Sequence, residues 1–324
     1  MIRCGVAGLG RWGRVLIDSV QGKSDRITVT AGVTGRKEHA VDYCAEKGID
    51  LRDDFADLLS DPDIDAVVLA TPHTQHVDQI IAAAKAGKPV FCDKPLTLTA
   101  ADARRAAEAT NAAGLPLCVG FNRRFLPGMI KLRELAASGS LGTLLHIEGN
   151  ISGNGGLRYG PEHWRASETE SPAGGMTAMG VHMMDAMMSV CGHVDHLRAV
   201  SERRATQVPV DDTTFATLKF DSGVTGVLTT MFATQSLWRI QVFGSKGWAE
   251  VRDQDHLEVR LIDGDNTVEE FPGFDMEHAE MEAFADTVST GAPFPVPLDD
   301  AIHGIAILEA IVAASKSGDV VKPS

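Results

Sequence analysis

A glycine-rich segment directly after the first apolar run constrains the fold of this chain more than any other feature. Met1–Ala7 has the composition of a short buried strand, Gly8–Gly13 has the spacing G-x-G-x-x-G, and a helical pattern follows. Between a strand and a helix, such glycines allow a tight turn, open the backbone to a pyrophosphate and let the helix pack closely. The alternative is a structural turn that binds no nucleotide. The residues that we predict to contact a dinucleotide here are Gly8, Gly10, Arg11, Trp12 and Gly13.

The composition is that of a globular protein large enough for two domains. Of the 324 residues, 44% are hydrophobic and 23% are charged, and the formal net charge is −14. This acidity argues against a nucleic acid partner, which favours a basic protein face, and against an anionic membrane surface. We find no signal peptide and no apolar run of membrane-spanning length, so we expect neither secretion nor membrane insertion.

The cysteines and methionines predict no metal site. The five cysteines are an odd number without C-x-x-C spacing, which predicts neither a disulfide framework nor a zinc site. A reducing cytoplasm is therefore the expected location. The methionines around His182 are predicted to pack in the core, because the segment lacks the other soft ligands that copper would need.

Strands and helices alternate regularly over the first third of the chain. This alternation predicts a doubly wound parallel sheet covered on both faces. After Gly120 the pattern changes to strands that alternate apolar and polar residues, separated by turns such as Asp221-Ser222-Gly223. Such strands form an antiparallel sheet with one face open to solvent or to a partner. We therefore predict an α/β chain with a Rossmann domain over residues 1–120 and an α+β domain with a large open, mostly antiparallel sheet over residues 121–324.

The end of the second predicted strand indicates which dinucleotide binds. Dinucleotide folds usually carry an acidic residue there that binds the adenosine ribose of NAD. This chain has Thr34-Gly35-Arg36-Lys37 instead, and its first carboxylate is that of Glu38. A guanidinium binds a phosphate through two parallel N–H groups, so Thr34 and Arg36 favour the 2′-phosphate of NADP over NAD. The alternative is that Arg36 and Lys37 are solvated residues of the next helix.

Two further segments carry groups suited to proton transfer. Asp93-Lys94-Pro95 follows a buried strand, so Lys94 lies at the carboxyl end of a parallel strand, where open α/β sheets bind ligands. A partly buried lysine beside a cationic nicotinamide can exchange a proton near neutral pH. His182 follows a glycine-rich turn and is a candidate proton donor to a carbonyl oxygen. The alternatives are a solvated loop lysine and a core histidine bonded to the backbone.

A third pattern, Tyr43-x-x-x-Lys47, matches the catalytic pair of short-chain dehydrogenases. It lies on the helix after the second strand, which is too early in the chain to face a nicotinamide. We interpret the match as a coincidence.

In order and spacing, these motifs resemble the glucose–fructose oxidoreductase / inositol dehydrogenase family of NAD(P)-dependent oxidoreductases over essentially the whole chain. The segments that carry the resemblance are Gly8–Gly13, Ala70–His76, Asp93–Pro95, Gly120–Pro127, Gly139–Gly142 and Gly180–Asp185. The resemblance implies a Rossmann domain and a second domain whose open sheet mediates homodimers or homotetramers. It also implies that Thr71, Pro72 and His76 lie along the nicotinamide half of the cofactor.

The resemblance further assigns roles to the proton-transfer candidates. It implies that Lys94 relays a proton or binds a substrate hydroxyl, that Asp93 and Lys94 lie against the cofactor, and that the Lys94–Pro95 peptide bond is cis. It implies that His182 is the acid–base partner. Family members acting on sugars and cyclitols often carry Asp-x-Gly-x-His, whereas this chain has Ala178 at the first position. The missing carboxylate weakens the expectation of an ordinary polyol substrate.

A loop upstream of His182 indicates what the substrate carries. Ser152–Arg165 contains several glycines, two arginines, a tyrosine, a histidine and a tryptophan. A flexible loop of this composition can close over a substrate, with an arginine pairing with a carboxylate and an aromatic side chain covering a ring. The alternative is a contact loop between subunits. The predicted substrate contacts are Arg123, Arg158, Tyr159, Trp164, Arg165 and Asp185.

Together these features predict an NADP-preferring oxidoreductase, with NAD as the other candidate cofactor. It would move a hydride between the nicotinamide and a secondary alcohol or carbonyl of a sugar, a cyclitol or a related cyclic acid. Two alternatives stay open: an enzyme that recycles a tightly bound cofactor during glycoside cleavage or elimination, and a non-catalytic NADP-binding sensor. Ala178 is consistent with a non-catalytic sensor, whereas the presence of Lys94 and His182 argues against one.

Overall fold

The structure is a computed structural model that describes every residue from Met1 to Ser324. The chain divides into two compact units, the first formed by Met1–Asn122 with Asp275–Ile302 and the second by Arg123–Phe274 with His303–Ser324. The chain first passes from the first unit to the second after Asn122, close to the boundary predicted at Gly120. The second part of the division differs from the prediction, because Asp275–Ile302 packs with the first unit instead of continuing the second.

The first unit is built on a six-stranded parallel sheet. Its strands are β1 (Ile2–Ala7), β2 (Ile27–Val33), β3 (Asp50–Leu51), β4 (Ala66–Leu69), β5 (Val90–Asp93) and β6 (Leu117–Gly120). Its first helices are α1 (Arg11–Val20), α2 (Val41–Lys47), α3 (Phe55–Ser60), α4 (His76–Lys85) and α5 (Ala100–Ala112). The strand order is β3-β2-β1-β4-β5-β6, which confirms the predicted doubly wound sheet. The order reverses between β1 and β4, and sheets of this kind bind ligands at that reversal.

The second unit is built on an eight-stranded sheet. Its strands are β7 (Leu144–Ser152), β8 (Val194–Glu202), β9 (Thr213–Phe220), β10 (Thr225–Met231), β11 (Leu237–Gly244), β12 (Gly247–Arg252), β13 (His256–Leu261) and β14 (Thr267–Glu270), and its helices include α6 (Pro127–Ala137) and α7 (Val181–Cys191). The strand order is β14-β13-β12-β11-β7-β10-β9-β8. Only β7 and β10 pair in parallel, so the predicted mostly antiparallel sheet is confirmed.

Two helices close the chain, α8 (Met276–Thr290) and α9 (Leu298–Ser317). The apolar face of α8 explains why this segment returns to the first unit. Phe284 of α8 is fully buried in the same apolar cluster as Leu16 of α1. Its ring meets that of Phe91 edge-on, with 5.6 Å between the ring centroids. Burying one such side chain contributes roughly 1.5–3 kcal/mol, which favours this packing over solvent exposure of the helix face.

One face of the eight-stranded sheet is covered and the other is open. On the covered face, Gly149 of β7 lets α7 approach closely, since a Cβ there would lie 2.6 Å from Cγ of Met183. On the open face, the cross-strand neighbours Phe215 and Val200 are 45% and 56% exposed. The alternation in β8 and β9 therefore places apolar side chains on both faces, one of which no part of this unit covers. None of the helices in the chain combines the length and the apolar character needed to cross a bilayer.

Candidate active site

The glycine-rich turn after β1 has a shape that fits a dinucleotide. Gly8 has a φ of +98°, and a Cβ at this position would lie 2.4 Å from the carbonyl oxygen of Ala70. A Cβ on Gly13 would lie 1.9 Å from the carbonyl oxygen of Gly8. By contrast, a Cβ on Gly10 would meet no atom within 4 Å. The turn is therefore closed towards the protein and open at Gly10, where the N-terminus of α1 presents backbone N–H groups to an anion.

The side chains at the start of α1 differ in their exposure. Arg11, the first residue of the helix, is exposed beside Gly10. Trp12 is half-buried and packs against the apolar core of the first unit. The charge of Arg11 is thus available at the open side of the turn, whereas the Trp12 ring contributes mainly to the packing beneath it.

The turn after β2 leaves Arg36 accessible to an anion. The carbonyl oxygen of Val33 accepts the N–H of Gly8 at 2.9 Å, which joins the end of β2 to the glycine-rich turn. Arg36 is exposed and forms no ion pair, and Thr34 is half-buried. Lys37, in contrast, pairs with Asp53. The positive charge that this turn can offer to a 2′-phosphate is therefore mainly that of Arg36.

His76 is buried between two loops of the first unit. Its ring is fully buried, with Nε2 3.1 Å from the carbonyl oxygen of Thr71 and Nδ1 3.0 Å from that of Pro95. Burial lowers the pKa of His76, which favours the neutral ring. The imidazole connects the loop after β4 to the loop after β5, and its expected place along the nicotinamide half of the cofactor stays a prediction.

The neutral state of buried His76 predicts a dependence of stability on pH. Its pKa in the folded state lies below the ordinary value of 6.5. As the pH falls below that value, the unfolded state takes up the proton first, so stability falls by at most about 1.4 kcal/mol per pH unit for this one group. We expect the melting temperature between pH 6.5 and pH 5 to fall less steeply in His76→Gln than in the wild type, as measured by calorimetry. Equal slopes in the two proteins would contradict this account.

Asp93, the last residue of β5, and Lys94 place two charged groups in a buried loop. The Lys94–Pro95 peptide bond is cis, as predicted. Asp93 and Lys94 are only 5% and 7% exposed. The Oδ1 atom of Asp93 is buried and accepts no hydrogen bond within the protein. A buried carboxylate oxygen without a donor is costly, so this loop fits a bound group that supplies one. Together with the open side of Gly10, this makes the residues of the first unit compatible with a dinucleotide.

In the second unit, His182 lies on the first turn of α7 and contacts Arg123. Nη1 of Arg123 is 3.1 Å from Nε2 and 3.4 Å from Nδ1 of His182. A guanidinium can only donate hydrogen bonds, so the imidazole is the acceptor. In this geometry His182 accepts a hydrogen bond from Arg123, and its role as proton donor and acid–base partner stays a prediction.

Asp185 forms a buried ion pair, which corrects its expected role as a substrate contact. The guanidinium of Arg124 donates to both carboxylate oxygens, with N–O distances of 2.7–3.0 Å. The two side chains are 6% and 1% exposed. Because Arg124 already occupies the carboxylate, Asp185 holds Arg124 next to Arg123 and is not presented to a ligand.

The loop upstream of α7 is packed rather than free. The rings of Tyr159 and His163 stack with 4.1 Å between their centroids, and the Tyr159 ring also meets Phe232 edge-on. The guanidinium of Arg165 lies 4.0 Å from the centre of the Trp164 ring. The aromatic side chains of this loop therefore pack on neighbouring groups, and its closure over a substrate stays a prediction. Arg158 differs from these neighbours, because it is exposed and forms no ion pair.

Comparison with known proteins identifies the family. Residues 2–121 match the oxidoreductase family with an NAD-binding Rossmann fold, and residues 129–250 match the GFO/IDH/MocA C-terminal domain. A myo-inositol 2-dehydrogenase from Thermotoga maritima is 32% identical over 260 residues, which cover 76% of this chain and 74% of that protein. The chain belongs to the GFO/IDH/MocA family of oxidoreductases. The resemblance seen in the motifs and the prediction of an NAD(P)-dependent enzyme are thereby confirmed.

Other GFO/IDH/MocA relatives cover most of the chain. A trans-1,2-dihydrobenzene-1,2-diol dehydrogenase from Bos taurus is 28% identical over 258 residues, covering 75% of this chain and 74% of that protein. Among solved structures, an aldose–aldose oxidoreductase from Caulobacter crescentus, complexed with glycerol, has a TM-score of 0.90 at 24% identity and covers 99% of both chains. The structural likeness shows that the two chains share a fold.

Sequence reasoning missed several residues that organise the candidate site of this GFO/IDH/MocA chain. Gln79 accepts a hydrogen bond from Oγ1 of Thr71 at 2.6 Å, beside the half-buried Pro72. Arg124 holds Asp185, and Arg14 contacts the backbone of Leu9. The sequence contains one usable signal, the pair Arg123-Arg124, but adjacent arginines alone do not say which of them is buried.

Proposed function

We propose that this oxidoreductase prefers NADP and interconverts a secondary alcohol and a carbonyl on a sugar, a cyclitol or a related cyclic acid. The observation that carries the proposal is the buried Lys94 at the carboxyl end of β5, next to the unpartnered Oδ1 of Asp93. An amine in that place is suited to exchange a proton with a substrate hydroxyl, because its neutral form can accept the proton and its charged form can return it. The alternative, a solvated lysine on a surface loop, would be exposed.

The side chains of this chain would bind, orient and manage the proton. Backbone N–H groups at Gly10 would hold the pyrophosphate, and Thr71 and Pro72 would border the nicotinamide. The bound nicotinamide supplies a site that accepts or returns a hydride. The one proton that leaves the substrate hydroxyl would be taken by the neutral amine of Lys94, with His182 as the acid–base partner in managing that same proton.

The preference for NADP is supported by the exposed, unpaired guanidinium of Arg36. Hydrogen bonds to a charged group contribute about 1.5–3 kcal/mol, so Arg36→Met should weaken NADPH binding about 10- to 100-fold. Binding of NADH, which lacks the 2′-phosphate, should change less than about threefold. Fluorescence titration of both cofactors measures this, with Arg105→Met as a matched control, since Arg105 is an exposed arginine on α5. Equal affinities of the wild type for NADPH and NADH would refute the preference.

An anionic or ring-bearing substrate is supported by the exposed Arg158. We expect Arg158→Ala to raise KM for a carboxylate-bearing substrate about tenfold with little change in kcat, because a lost ion pair weakens binding before the reaction. Arg165→Ala should also raise KM, by displacing the ring of Trp164 on which the guanidinium of Arg165 stacks. If both variants leave KM unchanged, the loop does not contact the substrate.

A homodimer or homotetramer through the open sheet is supported by exposed apolar side chains such as Phe215 and Val200. Exposed apolar side chains on an open sheet face are typical of an interaction surface. Sedimentation equilibrium measures the oligomeric state directly.

We also keep the cytoplasm as the expected location, to be tested by cell fractionation.

The function itself is tested by following absorbance at 340 nm with NADP⁺, then NAD⁺, and a panel of sugars, cyclitols, sugar acids and hydroxylated cyclic carboxylates. A substrate-dependent rise is expected with NADP⁺. Two alternatives remain, internal recycling of the cofactor and a non-catalytic sensor, and the second is suggested by Ala178, which lacks the carboxylate common in the family. Either alternative predicts tight NADPH binding without net reduction of NADP⁺.

A further inference from the structure

Arg14 of α1 connects the two turns that border the proposed adenosine end of the cofactor site. Its Nε atom donates to the carbonyl oxygen of Leu9, in the glycine-rich turn, at 3.1 Å. Its Nη2 atom donates to the carbonyl oxygen of His39, at the end of the 3₁₀ turn Lys37–His39 that follows β2. One guanidinium thus fixes both backbone segments through the planar arrangement of its donors, which a lysine cannot reproduce.

The Tyr43-x-x-x-Lys47 pattern supports this guanidinium instead of forming a catalytic pair. The centre of the Arg14 guanidinium lies 4.6 Å from the centre of the Tyr43 ring. The Tyr43 hydroxyl donates to Asp18 at 3.0 Å, and the same carboxylate pairs with Lys47 at 2.9 Å. Burial, together with the hydrogen bond to Asp18, raises the pKa of Tyr43, so the phenol stays protonated. The four side chains form one connected cluster between α1 and α2.

Apart from Arg14, hydrogen bonds join the glycine-rich turn to the turn after β2 only at the end of β2. The bond from Gly8 N–H to the Val33 carbonyl oxygen joins the turns at the strand end only. Residues 34–36 are not helical, and Gly35 and Arg36 are exposed, so their position depends on how the segment is held at its far end. The Arg14 bond to His39 is the side-chain bond that ties this far end to the glycine-rich turn, beside the Lys37–Asp53 pair and the buried Ala40.

We infer that Arg14 is a cofactor-positioning residue, which sets the distance between the pyrophosphate turn and the 2′-phosphate turn and thereby allows Arg36 to select NADP. This rests on the proposed NADP preference. Arg14 acts through the backbone of Leu9 and His39, and Tyr43 acts as its platform. Removing Arg14 should leave each turn intact but uncouple them.

The test is a double-variant cycle on Arg14 and Arg36, read as dissociation constants for NADPH and NADH. We expect Arg14→Met to reduce the preference for NADPH about tenfold in the wild-type background and by less than about twofold in the Arg36→Met background. Arg14→Lys keeps the charge but not the two backbone bonds, so it should not restore the preference. Arg105→Met, an exposed arginine variant, is the control for loss of charge.

A second readout uses the cofactor-free protein and is independent of the preference. Amide hydrogen exchange over residues 34–40 should be at least about threefold faster in Arg14→Met than in the wild type, with exchange in β5 unchanged. Arg14 does not position the turn if amide exchange over residues 34–40 is unchanged in Arg14→Met and if the effects of Arg14→Met and Arg36→Met on NADPH binding are additive. If the wild type itself binds NADPH and NADH equally while exchange over residues 34–40 still rises, the coupling stands and only the proposed NADP preference fails.

Discussion

Lys94→Met is expected to lower kcat by about 10²- to 10⁴-fold, because it removes the amine that we propose to exchange the substrate proton. Methionine has a similar length and no charge, so the buried loop after β5 can retain its packing. Lys94 is only 7% exposed and directly follows β5, so its amine is held in a buried position. The measurement is steady-state turnover with the substrate found in the panel, at saturating NADP⁺.

Binding separates a catalytic Lys94 from a merely structural one. The dissociation constant for NADPH should stay within about threefold of the wild type, because loss of kcat without loss of binding identifies a group that acts in the transition state. Lys85→Met, which removes an exposed lysine at the end of α4, is the matched control. Turnover of Lys94→Met within tenfold of the wild type would remove Lys94 from the mechanism.

Arg124→Met should destabilise the second unit by about 3–5 kcal/mol, because it leaves the carboxylate of Asp185 buried without its partner. The two side chains are 6% and 1% exposed, and both carboxylate oxygens accept from Arg124. The double variant Arg124→Met/Asp185→Leu should recover most of this loss, since no buried charge then remains. Urea denaturation followed by circular dichroism measures the free energy of unfolding.

A more exposed ion pair of similar length provides the control. Arg105 and Asp102 on α5 have an N–O distance of 2.6 Å, but their side chains are 57% and 33% exposed. Arg105→Met should therefore cost less than about 1 kcal/mol, as is usual for solvent-exposed pairs. A loss in Arg124→Met no larger than that in Arg105→Met would show that burial of the pair does not stabilise the second unit.

The parts of the fold that follow local rules could be predicted from the sequence. Gly8, Gly10 and Gly13 are spaced by the geometry of one turn, so their arrangement after β1 was predictable. The change from buried strands to alternating strands near Gly120 likewise indicated a second sheet, because the period of apolar residues reflects which faces are covered. The cis bond before Pro95 came from the family resemblance and is present.

The remaining differences depend on contacts between distant parts of the chain. The apolar face of α8 predicts burial but not the sheet that covers it, and Phe284 packs with Phe91 of the first unit. His76 and Asp185 have the residue types of ligand-binding groups, yet their neighbours, the Pro95 carbonyl group and Arg124, were not deducible from spacing. Partners far apart in sequence decide whether a polar side chain faces a ligand or the protein.

The most direct test of the account is transfer of deuterium from NADPH labelled at C4 of the nicotinamide to a carbonyl substrate, read by mass spectrometry of the product alcohol. The panel is the set of carbonyl forms of sugars, cyclitols and hydroxylated cyclic acids. We expect one deuterium on the carbon that gains the hydroxyl group, with the label lost from NADPH at the same rate and almost no transfer by Lys94→Met. Tight NADPH binding with no deuterium in any product would contradict the account.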